Sequence, residues 1–236
     1  MAEVPIHLNG PYQPVYAAGE DLPEFARIDP GFETVVGFIE PSLTEIIKQL
    51  KPNLEDGKYN LLICEGNSAL IPASIIHGVA SEIYESKGYK PLTTFMTKAG
   101  SQKDDDALYE EITHGVANEI LQPGMSALIV TDCIDTGACV GRLVSGLNTS
   151  GIRSDVTALS FWKDEAEVRN ANPGITDSTQ LYLGQKYFRP STCRSDFLTP
   201  PTVFDPSPAI WNSPFVVSLK DATSRDINRM VTKLSS

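Results

Sequence analysis

The sequence predicts an α/β protein with a three-layer architecture, in which helices cover both faces of a mainly parallel sheet. Short apolar runs alternate with segments of helical periodicity between residues 59 and 162. The chain has 236 residues and is 41% hydrophobic, which is enough to bury a sizeable core. Each apolar run also ends in a polar cluster, which is typical of the loops that follow parallel strands.

Five strands and five helices are expected from these patterns. The strands are predicted over residues 59–64, 91–97, 127–130, 154–162 and 179–183. The first helix is predicted over residues 42–50, because Ser42 and Glu45 form a capping-box pattern and Pro52 follows. The others are predicted over residues 71–88, 107–120, 140–147 and about 218–234, and residues 98–106 and 163–167 are expected to be loops.

This element order suggests one core with an extension at each end. Residues 1–40 are rich in proline, glycine and aromatic side chains and are expected to form an irregular arm. Residues 41–183 are expected to form the α/β core. Residues 184–236 are expected to form a long ordered segment and a terminal helix, which together make a C-terminal extension.

Composition excludes several classes of function. The net charge of −11 argues against broad nucleic-acid binding, which needs a basic surface. No apolar run is long enough to span a membrane, and the N-terminus lacks signal-peptide features, so a cytoplasmic protein is expected. The four cysteines are then expected to be free thiols, and the three histidines show no zinc-ligand spacing.

The chain is organised around residues 127–140, Ala-Leu-Ile-Val-Thr-Asp-Cys-Ile-Asp-Thr-Gly-Ala-Cys-Val. Four apolar residues lead into a polar turn that contains Asp132, Asp135, Thr136 and Gly137, and an apolar-periodic segment follows. This pattern predicts a buried strand, a tight loop and a helix N-terminus. Exposed N–H groups at such a terminus favour a phosphate, although an ordinary strand-to-helix turn would give the same pattern.

Three other polar segments are expected to lie near this turn. They are residues 65–68, 98–106 and 163–167, and each follows a predicted strand. The carboxyl ends of parallel strands meet at one edge of the sheet, which is where such proteins bind ligands. The convergence of four polar loops therefore predicts a ligand site at that edge.

The segment Leu-Ile-Val-Thr-Asp-Cys-Ile-Asp-Thr-Gly-Ala resembles the phosphoribosyl pyrophosphate (PRPP) motif of type I phosphoribosyltransferases. The resemblance extends over about residues 40–165. It implies that the backbone of residues 135–139 and the Thr136 hydroxyl hold the 5′-phosphate, a set that comprises Asp135, Thr136, Gly137, Ala138 and Cys139. It also implies that Asp132 contacts the ribose hydroxyls, directly or through Mg²⁺, and that Asp135 assists proton transfer at the base.

The resemblance assigns roles to the other loops as well. The turn Glu65-Gly66-Asn67-Ser68 is similar to the pyrophosphate loop of the family. Residues 98–106 look like its flexible flap, in which Lys98 or Lys103 would neutralise pyrophosphate during catalysis. Lys163 corresponds to a lysine that reads the base carbonyl in purine-using members. Tyr182, Tyr187 or Phe188 could stack on the base as part of a hood, a small cap contributed by the C-terminal extension.

Two functions follow from the resemblance. The first is transfer of phosphoribosyl from PRPP to a nucleobase, purine more readily than pyrimidine, with Mg²⁺ and release of pyrophosphate, in a homodimer as is usual in the family. The second is a non-catalytic nucleotide- or PRPP-binding regulatory protein on the same fold. The chain departs from the family pattern at Thr131, which replaces the first acid of the motif, at Cys139, which replaces a hydroxyl residue, and at Glu65, which replaces a cation. Thr131 and Glu65 favour the second function. The intact Asp-x-x-Asp-Thr-Gly core and the loop with Lys98 and Lys103 favour the first.

Overall fold

The computed structural model describes residues 33–66, 69–97, 105–161, 163–186 and 227–235. Its strands are β1 (Leu61–Glu65), β2 (Thr93–Thr97), β3 (Ser126–Ile134), β4 (Arg153–Phe161) and β5 (Leu181–Lys186). These strands form a five-stranded sheet in the order β2-β1-β3-β4-β5, and every neighbouring pair is parallel. The predicted parallel α/β architecture is therefore confirmed.

Helices cover both faces of this sheet. They are α1 (Glu33–Glu55), α2 (Leu70–Lys87), α3 (Asp105–Ala117), α4 (Ala138–Thr149) and α5 (Glu165–Ala171), followed by α6 over residues 227–235. Apolar residues of α1, α2 and α6 share one core with one face of the sheet. Apolar residues of α3, α4 and α5 form a second core with the other face. The two cores make three layers, as the sequence predicts.

The direction in which the sheet grows reverses next to β1. The chain passes from β1 through α2 to β2 at one side, and α3 then carries it back past β1 to β3. Because parallel crossovers are right-handed, this reversal places α2 and α3 on opposite faces. It also leaves a crevice between the carboxyl ends of β1 and β3. Open α/β sheets bind ligands at such a switch point.

Helix α1 is much longer than predicted, and both of its predicted ends are wrong. It includes Pro41 and Pro52, and Ser42 lies inside it with its side chain buried instead of capping the N-terminus. The reason is that a buried apolar stripe continues at helical spacing from Ile39 to Leu54, across both prolines. Burial of this stripe outweighs the cost of about 3 kcal/mol for a proline inside a helix. Residues 33–40 are consequently helical, not an irregular arm.

Two more predictions near the carboxyl edge need correction. Strand β3 continues to Ile134, so the polar turn after it shortens to residues 135–137. Residues 165–167, predicted as loop, are the first residues of α5. This helix begins at a capping box in which Asp164 caps the helix and the Glu167 side chain accepts from the Asp164 N–H. Burial of Val168 fixes α5 against the second core.

Helix α6 confirms the predicted C-terminal helix over the residues that the structure describes. Met230 and Val231 are buried against the first core. The approach to α2 is close, because a Cβ atom built on Gly78 would lie 2.5 Å from Val231 Cγ2. The predicted arm over residues 1–32 and most of the predicted hood, residues 187–226, lie outside the described residues. Within the described part, no helix is both long and apolar enough to cross a membrane.

Candidate functional site at the carboxyl edge of the sheet

Glu65 is the last residue of β1 and lies between two strand-end threonines. Thr97 of β2 is its register partner, and the Thr131 hydroxyl of β3 donates a 2.5 Å hydrogen bond to Glu65 Oε2. Only 7% of Glu65 is exposed. Gly66 then turns the chain at φ 73°, a conformation that favours glycine, and its N–H donates to the Thr97 carbonyl at 2.8 Å. This geometry fixes the Glu65 carboxyl group at the switch point.

The surroundings of Glu65 favour its neutral form. Burial, reinforced by the negative charge of Asp132, raises the pKa of Glu65 to about 7, against the opposing effects of the Thr131 hydrogen bond and the Arg142 charge. Glu65 therefore titrates near neutral pH. The Glu65 side chain consequently carries only part of a negative charge at pH 7.

Asp132 is also buried, but its carboxylate lacks a comparable partner. Asp132 is 9% exposed, and the Ser160 hydroxyl contacts its backbone carbonyl at 3.4 Å. None of the donors in the described ranges hydrogen-bonds to its carboxylate. The Asp132 oxygens are not among the fully buried polar atoms that lack a partner in the described residues, and this carboxylate can accept hydroxyl groups or a cation from a ligand.

The turn after β3, which begins three residues after Asp132, presents backbone donors. Gly137 has φ 78° and is the N-cap of α4, and as a glycine it has no side chain with which to cap the helix. Within the turn, the Ala138 N–H donates to the Thr136 hydroxyl at 3.3 Å. Asp135, Thr136 and Ala138 are exposed. The first turn of α4 therefore offers N–H groups and the positive end of a helix dipole to a ligand at the edge.

Arg142 provides a positive charge near this turn that the sequence analysis did not single out. It lies one turn into α4, and its Nη2 is 3.6 Å from Cys139 Sγ. Its charge acts on Glu65 and on Cys139. Burial, reinforced by the charge of Glu65, raises the pKa of the Cys139 thiol, so Cys139 stays neutral. The sequence hint for this contact was that Arg142 follows Cys139 by three residues, which places the two side chains on neighbouring turns of a helix.

Asn172 is a second residue that the sequence analysis missed. It follows α5 and is 7% exposed. Its Nδ2 atom donates to the Thr136 carbonyl at 2.8 Å and to the Val168 carbonyl at 2.7 Å. A lone asparagine in a turn-rich segment gives no hint of such contacts. They connect the segment after β4 to the turn after β3.

The structure brings together only part of the predicted site. Glu65, Gly66, Asp132, the turn residues 135–139 and Lys163 all follow or end strands at the carboxyl edge, and Lys163 is half-buried. Asn67, Ser68, Lys98 and Lys103 lie outside the described residues, as do Tyr187 and Phe188. The predicted pyrophosphate loop and flap therefore stay predictions.

Tyr182 lies away from this group of residues. Its ring is buried on the α1 face, and its hydroxyl is 2.9 Å from the Tyr59 hydroxyl, which donates to Asp155 at 2.6 Å. Lys58 forms a 2.7 Å ion pair with the same carboxylate. Tyr59 precedes β1 and Asp155 is near the start of β4, so this network lies toward the amino edge of the sheet. Its geometry is that of a structural network and does not place the Tyr182 hydroxyl at the carboxyl edge.

Comparison with known protein families and with curated proteins found no match for this chain. The described residues also contain no group of three or more His, Cys, Asp or Glu side chains arranged to hold a metal ion. The interpretation of the site therefore depends on its own geometry and on the sequence resemblance.

Proposed function

We propose that this protein is a phosphoribosyltransferase that transfers phosphoribosyl from PRPP to a nucleobase, with a purine favoured, and releases pyrophosphate. The observation that carries the proposal is the pairing of Asp132 with the turn that follows it. Asp132, which is 9% exposed and whose carboxylate accepts no hydrogen bond within the described residues, comes five residues before Gly137, the N-cap of α4, across the switch point from the end of β1. A ribose phosphate has hydroxyl groups that can donate to the Asp132 carboxylate and an anionic phosphate that the N-terminus of α4 can bind.

The residues of this chain would act mainly by positioning the substrate. The N–H groups of the first turn of α4 and the Thr136 hydroxyl would hold the 5′-phosphate. Asp132 would accept hydrogen bonds from the ribose hydroxyls. In the reaction, the bond from ribose C1 to pyrophosphate breaks and a bond from C1 to a base nitrogen forms. The ring nitrogen loses its proton, for which exposed Asp135 is the proposed acceptor.

Mg²⁺ is compatible with the donor set at this edge. It usually binds through one or two carboxylates together with substrate phosphates, and it does not need a complete protein cage. Asp132 would hold it, and the ion would neutralise charge on the pyrophosphate when bound. The partly neutral state of Glu65 reduces the repulsion that an acid at the pyrophosphate loop would otherwise cause. Lys98 and Lys103 are proposed to act from the flap, and Lys163 at the base.

One observation favours the alternative, a non-catalytic protein that binds PRPP or a nucleotide. Thr131, which replaces the first acid of the motif, is fully buried, and its hydroxyl donates to Glu65. It is therefore not available to the ribose, and Asp132 would be the only acid of β3 facing the ligand. Binding would persist with one acid, whereas turnover could be lost.

The experiment that separates the two is an assay of pyrophosphate release from PRPP with Mg²⁺ and a panel of purine and pyrimidine bases. Turnover with a purine supports the proposed enzyme and calls for a test of whether a homodimer is the active form. Binding of PRPP without turnover for any base would replace the enzyme with the binding protein. Failure to bind any phosphoribosyl compound would contradict both.

A further inference from the structure

We infer that Asn172 is a positioning residue that holds the phosphate-binding turn of the proposed site and joins it to the base-reading side. The inference rests on the proposed function for its ligand, but its structural part can be tested without one. Asn172 would not touch the substrate. It would act through the backbone of Thr136 and Gly137.

The contact between Asn172 and the turn is direct and specific. Its Nδ2 group donates to the Thr136 carbonyl at 2.8 Å and to the Val168 carbonyl at 2.7 Å, so its donor capacity is used. The first bond fixes the orientation of the peptide between Thr136 and Gly137. The N–H of that peptide belongs to the N-cap of α4, and so this bond sets the direction of the donors offered to a phosphate.

Two glycines, one in the turn and one in the helix, leave the space that the Asn172 side chain occupies. A Cβ atom at Gly137 would lie 2.6 Å from Asn172 Nδ2, and one at Gly141 would lie 3.0 Å from both Cβ and Oδ1 of Asn172. The left-handed φ of Gly137 adds a second requirement for glycine there. The absence of these side chains lets Asn172 fill the space beside the first turn of α4. Ordinary packing would not require an amide at that place, whereas two carbonyl acceptors do.

The backbone on either side of Asn172 is itself anchored. The Asn172 N–H donates to the Arg169 carbonyl at 3.1 Å, and its carbonyl accepts from the Ile175 N–H at 2.8 Å. Arg169 in turn donates to the Thr176 and Thr179 carbonyls. The segment that carries the Asn172 amide is therefore itself hydrogen-bonded. Movement of the turn would require breaking the bond from Asn172 Nδ2 to the Thr136 carbonyl.

Helix α5 connects this anchor to the proposed base site. It has seven residues, which corresponds to a length of about 10 Å. Lys163 lies just before its cap Asp164, and Asn172 lies just after its last residue. A displacement of α5 on base binding would consequently be transmitted to the phosphate turn through Asn172. Because Asn172 contacts the turn proposed to hold the phosphate and would not touch ribose C1, we expect it to affect the affinity for PRPP more than the chemical step.

The test uses the full-length protein with Asn172→Ala, Asn172→Asp and the control Asn170→Asp, which changes an exposed residue two positions away. Amide exchange of Gly141, whose N–H donates to Gly137 O at 2.7 Å, reports on the turn without ligand. Exchange of β3 core amides reports on global stability. We expect Gly141 to exchange about tenfold faster relative to the β3 amides in both Asn172 variants, and not in Asn170→Asp.

The same variants are titrated with PRPP and Mg²⁺. We expect Kd or KM for PRPP to rise by about tenfold with kcat less affected, since a lost buried hydrogen bond has this magnitude. If Asn172→Asp fails to fold, Asn172→Ala and a double-mutant cycle with Gly137→Ala decide the question. The cycle isolates the 2.6 Å contact with Asn172 Nδ2, because the contact with Val168 Cγ1 and the strain of the positive φ are the same with and without the amide. Unchanged Gly141 exchange and zero coupling in the cycle would overturn the inference. Absence of PRPP binding in the wild type would instead overturn the proposed function and leave the exchange result to decide the role of Asn172.

Discussion

The Thr131 hydroxyl donates a 2.5 Å hydrogen bond to the Glu65 carboxyl group across the carboxyl ends of β3 and β1. Both side chains are buried. The two residues are thus partners, and both are positions at which the chain departs from the sequence pattern that it resembles. Each departure makes the other tolerable, because two adjacent carboxylates would repel each other, whereas a hydroxyl stabilises one carboxylate.

The first prediction concerns the pH dependence of stability. The pKa of Glu65 in the folded protein is raised to about 7 from its ordinary value of 4.5. The folded state therefore binds this proton more tightly, and the Glu65 contribution to stability is lost as the pH rises from about 4.5 to 7. Glu65→Gln should be more stable than the wild type by roughly 2–4 kcal/mol at pH 8 and nearly equal to it at pH 4.5.

Chemical denaturation at the two pH values measures this difference, and Glu82→Gln on the exposed face of α2 serves as a matched control. A stability difference that is the same at pH 4.5 and pH 8 would show that Glu65 does not titrate in this way.

The second prediction concerns the partner of Glu65. Thr131→Val keeps the shape of the side chain but removes the donor. Because the hydroxyl stabilises the charged carboxylate, its loss should raise the pKa of Glu65 further. An NMR titration of the Glu65 carboxyl carbon measures this shift. Thr149→Val, which removes an exposed hydroxyl on α4, should leave it unchanged. A lower pKa of Glu65 in Thr131→Val would exclude the hydrogen bond as described.

The third prediction concerns the network toward the amino edge. Tyr59→Phe removes the hydroxyl that donates to Asp155 at 2.6 Å and leaves buried polar groups with fewer partners. Burial, with the hydrogen bond to Asp155, also raises the pKa of Tyr59 well above its ordinary value, so the phenol stays protonated. The free energy of unfolding should fall by about 1–3 kcal/mol.

PRPP affinity should not change in this variant, because the network lies away from the carboxyl edge. Tyr89→Phe is the control, since its hydroxyl makes a longer, exposed bond of 3.2 Å to the Glu55 carbonyl. A loss of ligand affinity in Tyr59→Phe at preserved stability would mean that this network belongs to the site.

The fourth prediction concerns the docking of α6 on α2. Gly78→Ala would bring a methyl group to 2.5 Å from Val231 Cγ2, so α6 must shift or detach. Limited proteolysis should then cleave near residues 227–235 faster than in the wild type, and Val231→Ala in the same chain should restore resistance. Equal cleavage rates in all three proteins would contradict the close packing of these two helices.

The sequence was sufficient to predict a mainly parallel sheet covered by helices, because apolar runs such as 59–64 and 127–130 alternate with segments of helical periodicity. It did not predict the length of α1, because Pro41 and Pro52 are strong local signals that tertiary burial of Ile39 and Leu54 overrides. Helix α5 was missed although a signal existed. Asp164 and Glu167 have the spacing of a capping box, but the charged run was interpreted as a loop.

The candidate site could be predicted only within single segments. The acids and the glycine of residues 132–137 are adjacent in sequence, so their grouping needed no knowledge of the fold. The partnership of Thr131 with Glu65 depends on the order of the strands and on their register, which alternating apolar patterns do not define for fully buried strands. The contact of Asn172 with Thr136 spans 36 residues and two loops, and no local pattern encodes it.

We propose that the carboxyl edge between β1 and β3 binds a phosphoribosyl group. Calorimetric titration of PRPP with Mg²⁺ into the wild type, Asp132→Asn and the exposed control Asp177→Asn tests it most directly. We predict binding to the wild type and to Asp177→Asn, and a loss of affinity of at least about tenfold in Asp132→Asn at preserved folding. Equal affinity for PRPP in all three proteins would contradict the account.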